Sequence, residues 1–204
     1  MRKIVIPDDE SMTFPNIDWR ETFVLELGNK RNDKGTYRSW YEVQGADYEC
    51  VDWNGQDGAH EINMGSPLNE PYWEWSPDIV TNFGFTEHVC SDGSAQEQCW
   101  FNLHQWLRKV GSRLCFVMPY PGHWDHHGVY QPTTEWYKTF AKLNGYEIEY
   151  LVVNNNRQRF TICGRLRRLN TDKVFTMPSP DLVYITPPKR RVNKSEKECG
   201  IEPT

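Results

Sequence analysis

The sequence predicts an α/β fold, with a mainly parallel sheet, helices on both faces and an antiparallel hairpin at the C-terminal edge. Two observations support this prediction. Short apolar runs typical of buried strands alternate with segments of helical apolar spacing. The last two strand-like runs instead flank an Asn-rich turn, which is typical of a hairpin. The 204 residues, 38% hydrophobic and 25% charged, suffice for one soluble domain with a buried core.

The first predicted elements are short and are separated by turn residues. Phe23–Leu27 is an apolar run closed by Gly28, which suits a buried strand and its turn. Glycines bound a short helix predicted over 35–45. Two further strands are predicted at 48–53 and 59–64, with a loop rich in Asn, Asp and Gly between them.

The second half of the chain alternates longer helices with strands. A buried strand at 78–80 precedes a helix predicted over 95–110, where apolar side chains recur at helical spacing. The run 114–118 is a strand stopped by prolines, and a helix follows over 132–144 with Asn-Gly at its end. The closing hairpin is predicted from strands at 146–153 and 160–169.

Charge is distributed unevenly along the chain. The net charge of −5 argues against an extensive nucleic-acid-binding surface. Residues 187–204 contain five basic and three acidic side chains, and we predict that they form a basic, disordered tail. Residues 1–21, in which Pro7 and Pro15 limit regular structure, are predicted to be an N-terminal arm. We therefore expect the domain over residues 22–186.

The cysteine spacing and the lengths of the apolar runs indicate the cellular compartment. The six cysteines include no Cys-x-x-Cys pair, and a disulfide framework is typical of smaller secreted chains. We therefore predict a reducing, cytoplasmic environment. The apolar run near the start is too short for a signal peptide, and none approaches membrane-spanning length, so we expect no membrane association.

Several strand ends carry residues suited to ligand binding. At Gly28 the backbone can approach a ligand where a side chain would block it. Asp52 ends the second strand, and a carboxylate there can accept hydrogen bonds from both ribose hydroxyls. The segment Pro77–Val89 passes from a buried strand through a polar turn to Glu87 and His88. This order predicts that Glu87 and His88 face a crevice, although Glu87 could merely favour a helix dipole and His88 could merely pack.

A second group of chemically active side chains follows the fifth strand. The loop at 122–131 contains His123, His126 and His127, together with Asp125. An imidazole with a near-neutral pKa can act as a general base, so these histidines join Glu87 and His88 as candidate catalytic residues. Loop ligands so close in sequence cannot all reach one ion without ligands from elsewhere, so we expect no metal site, while solvation or packing of the loop stays open.

Taken in order, these motifs resemble those of the class I S-adenosylmethionine-dependent methyltransferases over about residues 22–170. The resemblance implies a Rossmann-like fold and S-adenosylmethionine as the cofactor, bound across the carboxyl ends of strands one, two and four. The matching stretches are Leu25–Gly28, Asp52, Pro77–Asn82, Thr86–Val89 and Leu107–Arg113.

The resemblance also assigns residues to parts of the cofactor. It implies that Glu26 and Gly28 lie near the amino acid part, Asp52 binds the ribose, Trp53 flanks the adenine, Asp57, Gly58 and Ala59 lie near the adenine edge, and Asn82 lies near the methionine portion.

The first motif departs from the family pattern. The family usually has two or three glycines there, whereas a charged loop at 29–34 follows Gly28. We expect a methyltransferase with a small-molecule acceptor, because the body of the chain is acidic and no target-recognition domain is evident. Two alternatives remain: a non-catalytic methyltransferase-like binding module, and a metal-dependent hydrolase built on the loop from His123 to His127.

Overall fold

The computed structural model describes residues 8–32, 35–90, 92–124, 127–156 and 159–186. The predicted tail at 187–204 lies outside these residues, as do Asp125 and His126. The helices and strands are, in chain order, α1 (Asp8–Ser11), β1 (Phe23–Leu27), β2 (Arg31–Asn32), β3 (Gly35–Thr36), α2 (Arg38–Gln44), β4 (Asp47–Asp52), β5 (His60–Glu61), β6 (Ile79–Phe83), α3 (Gly93–Trp106), β7 (Arg113–Pro119), β8 (Tyr130–Pro132), α4 (Thr134–Asn144), β9 (Tyr146–Asn156), β10 (Arg159–Arg168) and β11 (Val183–Ile185).

Seven strands form one sheet in the order β5-β4-β1-β6-β7-β10-β9. The strands from β5 to β7 pair in parallel, and β10 runs antiparallel to both of its neighbours. The predicted mainly parallel sheet with a C-terminal hairpin is therefore confirmed. The hairpin folds back so that β10 lies between β7 and β9. Parallel pairing of β1 with β4 and β6 places the carboxyl ends of these three strands side by side.

The insertion of β10 depends on a small residue. Gly164 pairs with Phe116 of β7, and a Cβ atom on Gly164 would lie 2.2 Å from the ring of Phe116. The ring thus fills the space that a side chain would need. Leu166 and Ile162 of the same strand are fully buried, so β10 contributes to the core and not to an exposed edge.

Helices cover both faces of the sheet. Because neighbouring side chains of a strand point to opposite faces, Leu25 joins the core under α3 and α4, whereas Val24 joins the core under α2. The first core is dense in aromatic rings: Trp136 stacks on Phe140 with ring centroids 5.1 Å apart, and Trp100 lies 4.6 Å from Trp136. Much of the aromatic content therefore stabilises the core.

The N-terminal arm packs on the α2 face where it is described. Phe14 stacks on Trp40 at 5.4 Å and contacts Trp19 edge-on at 5.2 Å. The guanidinium of Arg165 in β10 donates hydrogen bonds to the carbonyls of Thr13 and Phe14. The arm thus covers apolar surface that the short helix α2 leaves open. The boundary at residue 21 stays a prediction.

Some local predictions missed. Helix α3 ends at Trp106 and not at residue 110, and Val110 is exposed beyond it. The small sheets β2–β3 and β8–β11 were not predicted, because each strand has only two or three residues and periodicity has no signal at that length. Within the part of the chain that is described, helices are too short or too polar to cross a membrane.

Candidate functional site

The carboxyl ends of β1 and β4 form the first part of the site. Gly28 has a φ of 87° and donates its N–H to the carbonyl of Val51 at 2.8 Å, which ties the turn after β1 to β4. Half-buried Asp52 accepts a hydrogen bond from the backbone of Trp53 at 2.6 Å. Burial raises the pKa of Asp52, and the backbone N–H groups of Trp53 and Asn54 oppose that rise. The Trp53 ring is 42% exposed beside this carboxylate.

The turn at Gln56–Gly58 lies against the same strand ends. Asn29 donates its side-chain amide to the carbonyl of Gln56 at 2.7 Å, and Arg38 donates to the carbonyl of Gly58 at 3.2 Å. Asp57 and Gly58 are exposed, and Ala59 is partly buried. The structure thus gathers Gly28, Asp52, Trp53, Asp57, Gly58 and Ala59 near one edge of the sheet.

Glu26 lies beneath this edge and is fully buried. Its carboxylate accepts hydrogen bonds from the Tyr48 hydroxyl and from the backbone N–H of Lys30. Burial raises the pKa of Glu26 to about 8, and the hydrogen bonds from Tyr48 and Lys30 act against that rise. Both carboxylate oxygens therefore have protein partners, and the predicted contact of Glu26 with a cofactor stays a prediction.

Phe85 and Lys30 lie at the crevice between the ends of β1 and β6. A Cβ atom on Gly28 would lie 2.8 Å from the Phe85 ring, so the ring occupies the space beside the glycine. The ammonium of Lys30 donates to the carbonyl of Phe83 at 2.9 Å and lies 3.4 Å from a carboxylate oxygen of Glu10. The sequence did not identify Phe85 or Lys30 as site residues, because the residues that they contact, Gly28 and Phe83, lie far from them in the chain.

Asn82 is fully buried and shapes the turn that follows β6. Its side-chain oxygen accepts the N–H groups of Phe85 and Thr86 at 3.3 and 3.2 Å, and its amide donates to the Thr86 hydroxyl at 2.8 Å. Gln96 of α3 holds the other side of the turn by donating to the carbonyls of Thr86 and Val89. In this structure Asn82 therefore positions the turn carrying Glu87, and its contact with a cofactor stays a prediction.

Glu87, His88 and His127 form the second part of the site, which we call the Glu87 cluster. The Nε2 atoms of His88 and His127 lie 3.8 and 3.6 Å from Oε1 of Glu87. The two imidazole rings meet edge to face at 4.9 Å. Glu87 is fully buried, whereas the two histidine side chains are 43% and 44% exposed. One potential ligand atom from each residue lies within 4.8 Å of the others.

The loop before β8 reaches Glu87 through a close backbone contact. The N–H of Val129 donates to the carbonyl of Glu87 at 2.6 Å. A Cβ atom on Gly128 would lie 2.5 Å from Cγ of Glu87, so only glycine permits this approach. Gln131 is buried and donates to the carbonyl of His127 at 2.9 Å, which fixes the loop from below. A Gly directly after the histidines was the one local signal of this contact.

His123 does not belong to the Glu87 cluster. The exposed His123 ring lies 4.5 Å from Phe160 and 5.1 Å from Tyr120, and among the described residues the metal-capable group contains His127 but not His123. His126 falls in the gap outside the described ranges. The catalytic roles of His123 and His126 stay predictions.

Comparison with known proteins gives a result at the level of fold. No family model matches the sequence, and no curated protein matches it. The chain is similar in structure to a 1,6-didemethyltoxoflavin-N1-methyltransferase from Burkholderia thailandensis, solved with 1,6-didemethyltoxoflavin and S-adenosylhomocysteine bound. The TM-score is 0.53 at 12% identity, covering 74% of this chain and 72% of that one.

Two further solved structures support the same fold. Magnesium protoporphyrin IX methyltransferase from Synechocystis PCC 6803, with bound S-adenosylmethionine, gives a TM-score of 0.52 at 12% identity over 74% of this chain and 72% of that one. A 16S rRNA (adenine(1408)-N(1))-methyltransferase from Catenulisporales acidiphilia gives 0.51 at 11% identity over 84% and 95%. The strand order and these likenesses together establish that the chain has the fold of the class I S-adenosylmethionine-dependent methyltransferases.

Proposed function

We propose that this protein is an S-adenosylmethionine-dependent methyltransferase. The observation that carries the proposal is the convergence of Gly28 and Asp52 at the adjoining carboxyl ends of β1 and β4, within a sheet of this strand order. Ligands of open α/β sheets bind at such strand ends. The similar methyltransferases from Burkholderia thailandensis and Synechocystis were solved with S-adenosylhomocysteine and S-adenosylmethionine, respectively.

The residues present fit the nucleoside half of this cofactor. Asp52 is half-buried at a strand end and suits the ribose hydroxyls, and the exposed ring of Trp53 offers a flat apolar surface to an adenine. The exposed turn at Asp57 and Gly58 would lie along the adenine edge. The half-exposed ammonium of Lys30 suits the carboxylate of the methionine half.

When bound, the cofactor supplies an electrophilic methyl group, and its transfer is an in-line displacement. The protein then has to align the acceptor and take a proton from it. His88 and His127 are half-exposed at the adjoining edge and are our candidates for the base, with buried Glu87 orienting them. We propose a small-molecule acceptor, because the net charge of −5 disfavours a polyanion.

A second candidate function is a methyltransferase-like module that binds a partner and no cofactor. The observation that favours it is the Phe85 ring, which occupies the space beside Gly28 where a cofactor would approach the backbone. In this alternative the ring is a fixed part of the core. In the enzyme, it must turn away when the cofactor binds.

Calorimetric titration with S-adenosylmethionine and S-adenosylhomocysteine tests the proposal. We expect one equivalent of each to bind and Asp52→Ala to weaken binding by at least about tenfold, since the charge-assisted pair of hydrogen bonds that Asp52 would accept from the ribose is lost. Asp47→Ala is the matched control, because Asp47 is exposed at the opposite end of the same strand. Absence of binding at millimolar cofactor would overturn the enzyme proposal in favour of the second candidate.

We also propose a cytoplasmic location. The five cysteines within the described ranges are buried and form no disulfide bonds with one another, as expected for a protein that folds in a reducing compartment. The redox state of these thiols in freshly isolated native protein tests this proposal, and disulfide-bonded protein would contradict it.

A further inference from the structure

We propose that Glu87, His88 and His127 bind a divalent transition-metal ion of the Zn²⁺ or Co²⁺ type. Two imidazole nitrogens and one carboxylate oxygen converge there from two different loops. The proposal does not depend on methyl transfer or on S-adenosylmethionine, and it replaces the expectation of no metal site that the spacing of the loop histidines suggested. It is an alternative to the base role of His88 and His127, because an imidazole nitrogen that coordinates a metal cannot accept a proton.

Sheet topology brings the three side chains together. Glu87 and His88 lie in the short helix after β6, and His127 lies in the loop after β7. Strands β6 and β7 are parallel neighbours, so their carboxyl ends adjoin. The hydrogen bond from Val129 to the carbonyl of Glu87 then fixes the second loop against the first. The ligands from the turn after β6, Glu87 and His88, are the ones that the loop histidines alone could not supply.

The distances suit a small cation. Ligand atoms around a tetrahedral ion with bonds of about 2.1 Å are about 3.4 Å apart. The two distances from the imidazole nitrogens to Oε1 of Glu87 are 3.6 and 3.8 Å, slightly longer than this value and longer than a hydrogen bond. The three ligand atoms lie within 4.8 Å of one another, and rotation of the half-exposed His88 and His127 side chains toward Oε1 would shorten these distances.

The state of Glu87 is the second, independent observation. Its side chain is fully buried, and neither carboxylate oxygen has a hydrogen-bond partner among the described residues. Burying a carboxylate without compensating hydrogen bonds costs several kcal/mol. A cation coordinated by Oε1 would offset this cost, because buried charges are normally paired or coordinate metals.

The donor set selects the class of metal. Imidazole favours Zn²⁺, Co²⁺ and similar ions, whereas Mg²⁺ and Ca²⁺ prefer oxygen ligands. Three protein ligands leave at least one position of a four-coordinate ion open to water or to a substrate oxygen, as in catalytic zinc sites. The half-exposed imidazoles place that open position toward solvent.

Titration of the tag-free, chelator-treated full chain with Co²⁺ tests the proposal, because the visible d–d bands report nitrogen and oxygen ligation directly. We expect one equivalent to bind, Zn²⁺ to displace it and Mg²⁺ to leave it unchanged. His127→Ala, His88→Ala and the isosteric Glu87→Gln should each weaken binding about a hundredfold or more, since the first two remove a ligand atom and the third replaces a charged carboxylate ligand with a neutral amide.

His60→Ala is the matched control. His60 is also a half-exposed histidine paired with a carboxylate, at 2.9 Å from Glu49, but it lies outside the cluster. Its loss should leave Co²⁺ binding unchanged, and circular dichroism should confirm that every variant is folded. Wild-type protein that binds no Co²⁺ or Zn²⁺ at millimolar concentration would overturn the proposal. Unchanged binding by the His88→Ala/His127→Ala double variant would overturn it as well.

Discussion

Two buried carboxylates at the same edge of the sheet differ in how the protein satisfies them. Glu26 is fully buried and accepts hydrogen bonds on both oxygens, from Tyr48 and from Lys30. Glu87 is equally buried, yet neither of its oxygens has a hydrogen-bond partner in the described parts of the chain, and half-exposed imidazoles lie nearby. Burial alone therefore does not identify a ligand site; at Glu87, carboxylate oxygens without hydrogen-bond partners coincide with two nearby imidazole nitrogens.

This comparison divides the edge of the sheet into two parts, in which we expect substitutions to change different properties. Around Glu26 the polar groups are paired within the protein, so substitutions there should mainly change the free energy of unfolding. At Glu87 the two carboxylate oxygens have no hydrogen-bond partner among the described residues, so substitution of Glu87 should mainly change ligand binding. The four predictions below test this division.

Gly28→Ala should give the largest loss of stability. A residue with a side chain costs about 1–2 kcal/mol in the left-handed region, and its Cβ atom would overlap the Phe85 ring, which adds about 1–3 kcal/mol. Urea denaturation should thus show a loss of about 2–5 kcal/mol. Gly111→Ala is the control, since its φ of 90° is similar but nothing lies within 4 Å of the added atom. Equal losses in both variants would mean that Phe85 does not restrict the space at Gly28.

Asn82→Ala should lower the free energy of unfolding by about 2–3 kcal/mol, because buried N–H groups of Phe85 and Thr86 lose their acceptor. Co²⁺ binding should also weaken, since the turn that carries Glu87 and His88 loosens. Asn82→Asp keeps an acceptor for both N–H groups and should lose less stability. A variant with wild-type stability would show that the turn does not need this side chain.

Glu26→Gln should change how stability depends on pH. The pKa of Glu26 is raised to about 8 in the folded protein from an ordinary value of 4.5, so the folded state binds the proton more tightly. Stability from this group is present at low pH and is lost as pH rises from about 4.5 to about 8.

Denaturation at pH 5 and pH 7 measures this effect. Wild-type protein should lose about 2 kcal/mol more than Glu26→Gln between these two pH values, because the amide does not ionise. Other titrating groups, such as His104, are common to both proteins and cancel in the difference. If the free energy of unfolding depended on pH equally in wild type and Glu26→Gln, the pKa of Glu26 would not be raised by burial.

Glu87→Gln should cause no loss of stability in metal-free protein and should raise it, because no hydrogen bond is lost and a neutral amide replaces a buried carboxylate without a hydrogen-bond partner among the described residues. The same variant should lose the rise in Tm that Co²⁺ gives the wild type. Thermal denaturation with and without Co²⁺ measures both quantities. A large loss in the metal-free state would mean that Glu87, like Glu26, is satisfied by the protein.

Much of the fold could be predicted from the sequence, because the signals were local. Apolar runs predicted the buried strands, and helical spacing predicted α3. The predicted end of α3 was too late, because the apolar spacing continues beyond Trp106 into an irregular segment. The likeness in strand order to class I methyltransferases was also predictable from the order of the motifs. Strands of two or three residues carried no periodicity, and β8 and β11 were missed for that reason.

The candidate site could be predicted only in part. Gly28 and Asp52 end adjacent strands, and their proximity follows from parallel pairing. The role of Asn82 could not be predicted, because the sequence does not tell whether an amide at a strand end faces a crevice or caps the next turn. In the structure the side chain of Asn82 forms hydrogen bonds with the next turn, and its contact with a cofactor stays a prediction.

The sequence by itself determined the types of element, the mainly parallel sheet and the presence of acid and imidazole groups after two strands, since each depends on neighbouring residues. The tertiary structure decided which groups meet. It placed β10 between β7 and β9, set Phe85 beside Gly28, and brought His127 rather than His123 to Glu87. The physical reason is that these contacts join residues far apart in the chain. Close packing, such as that of Gly128 against Glu87, then determines which of several chemically similar side chains comes into contact.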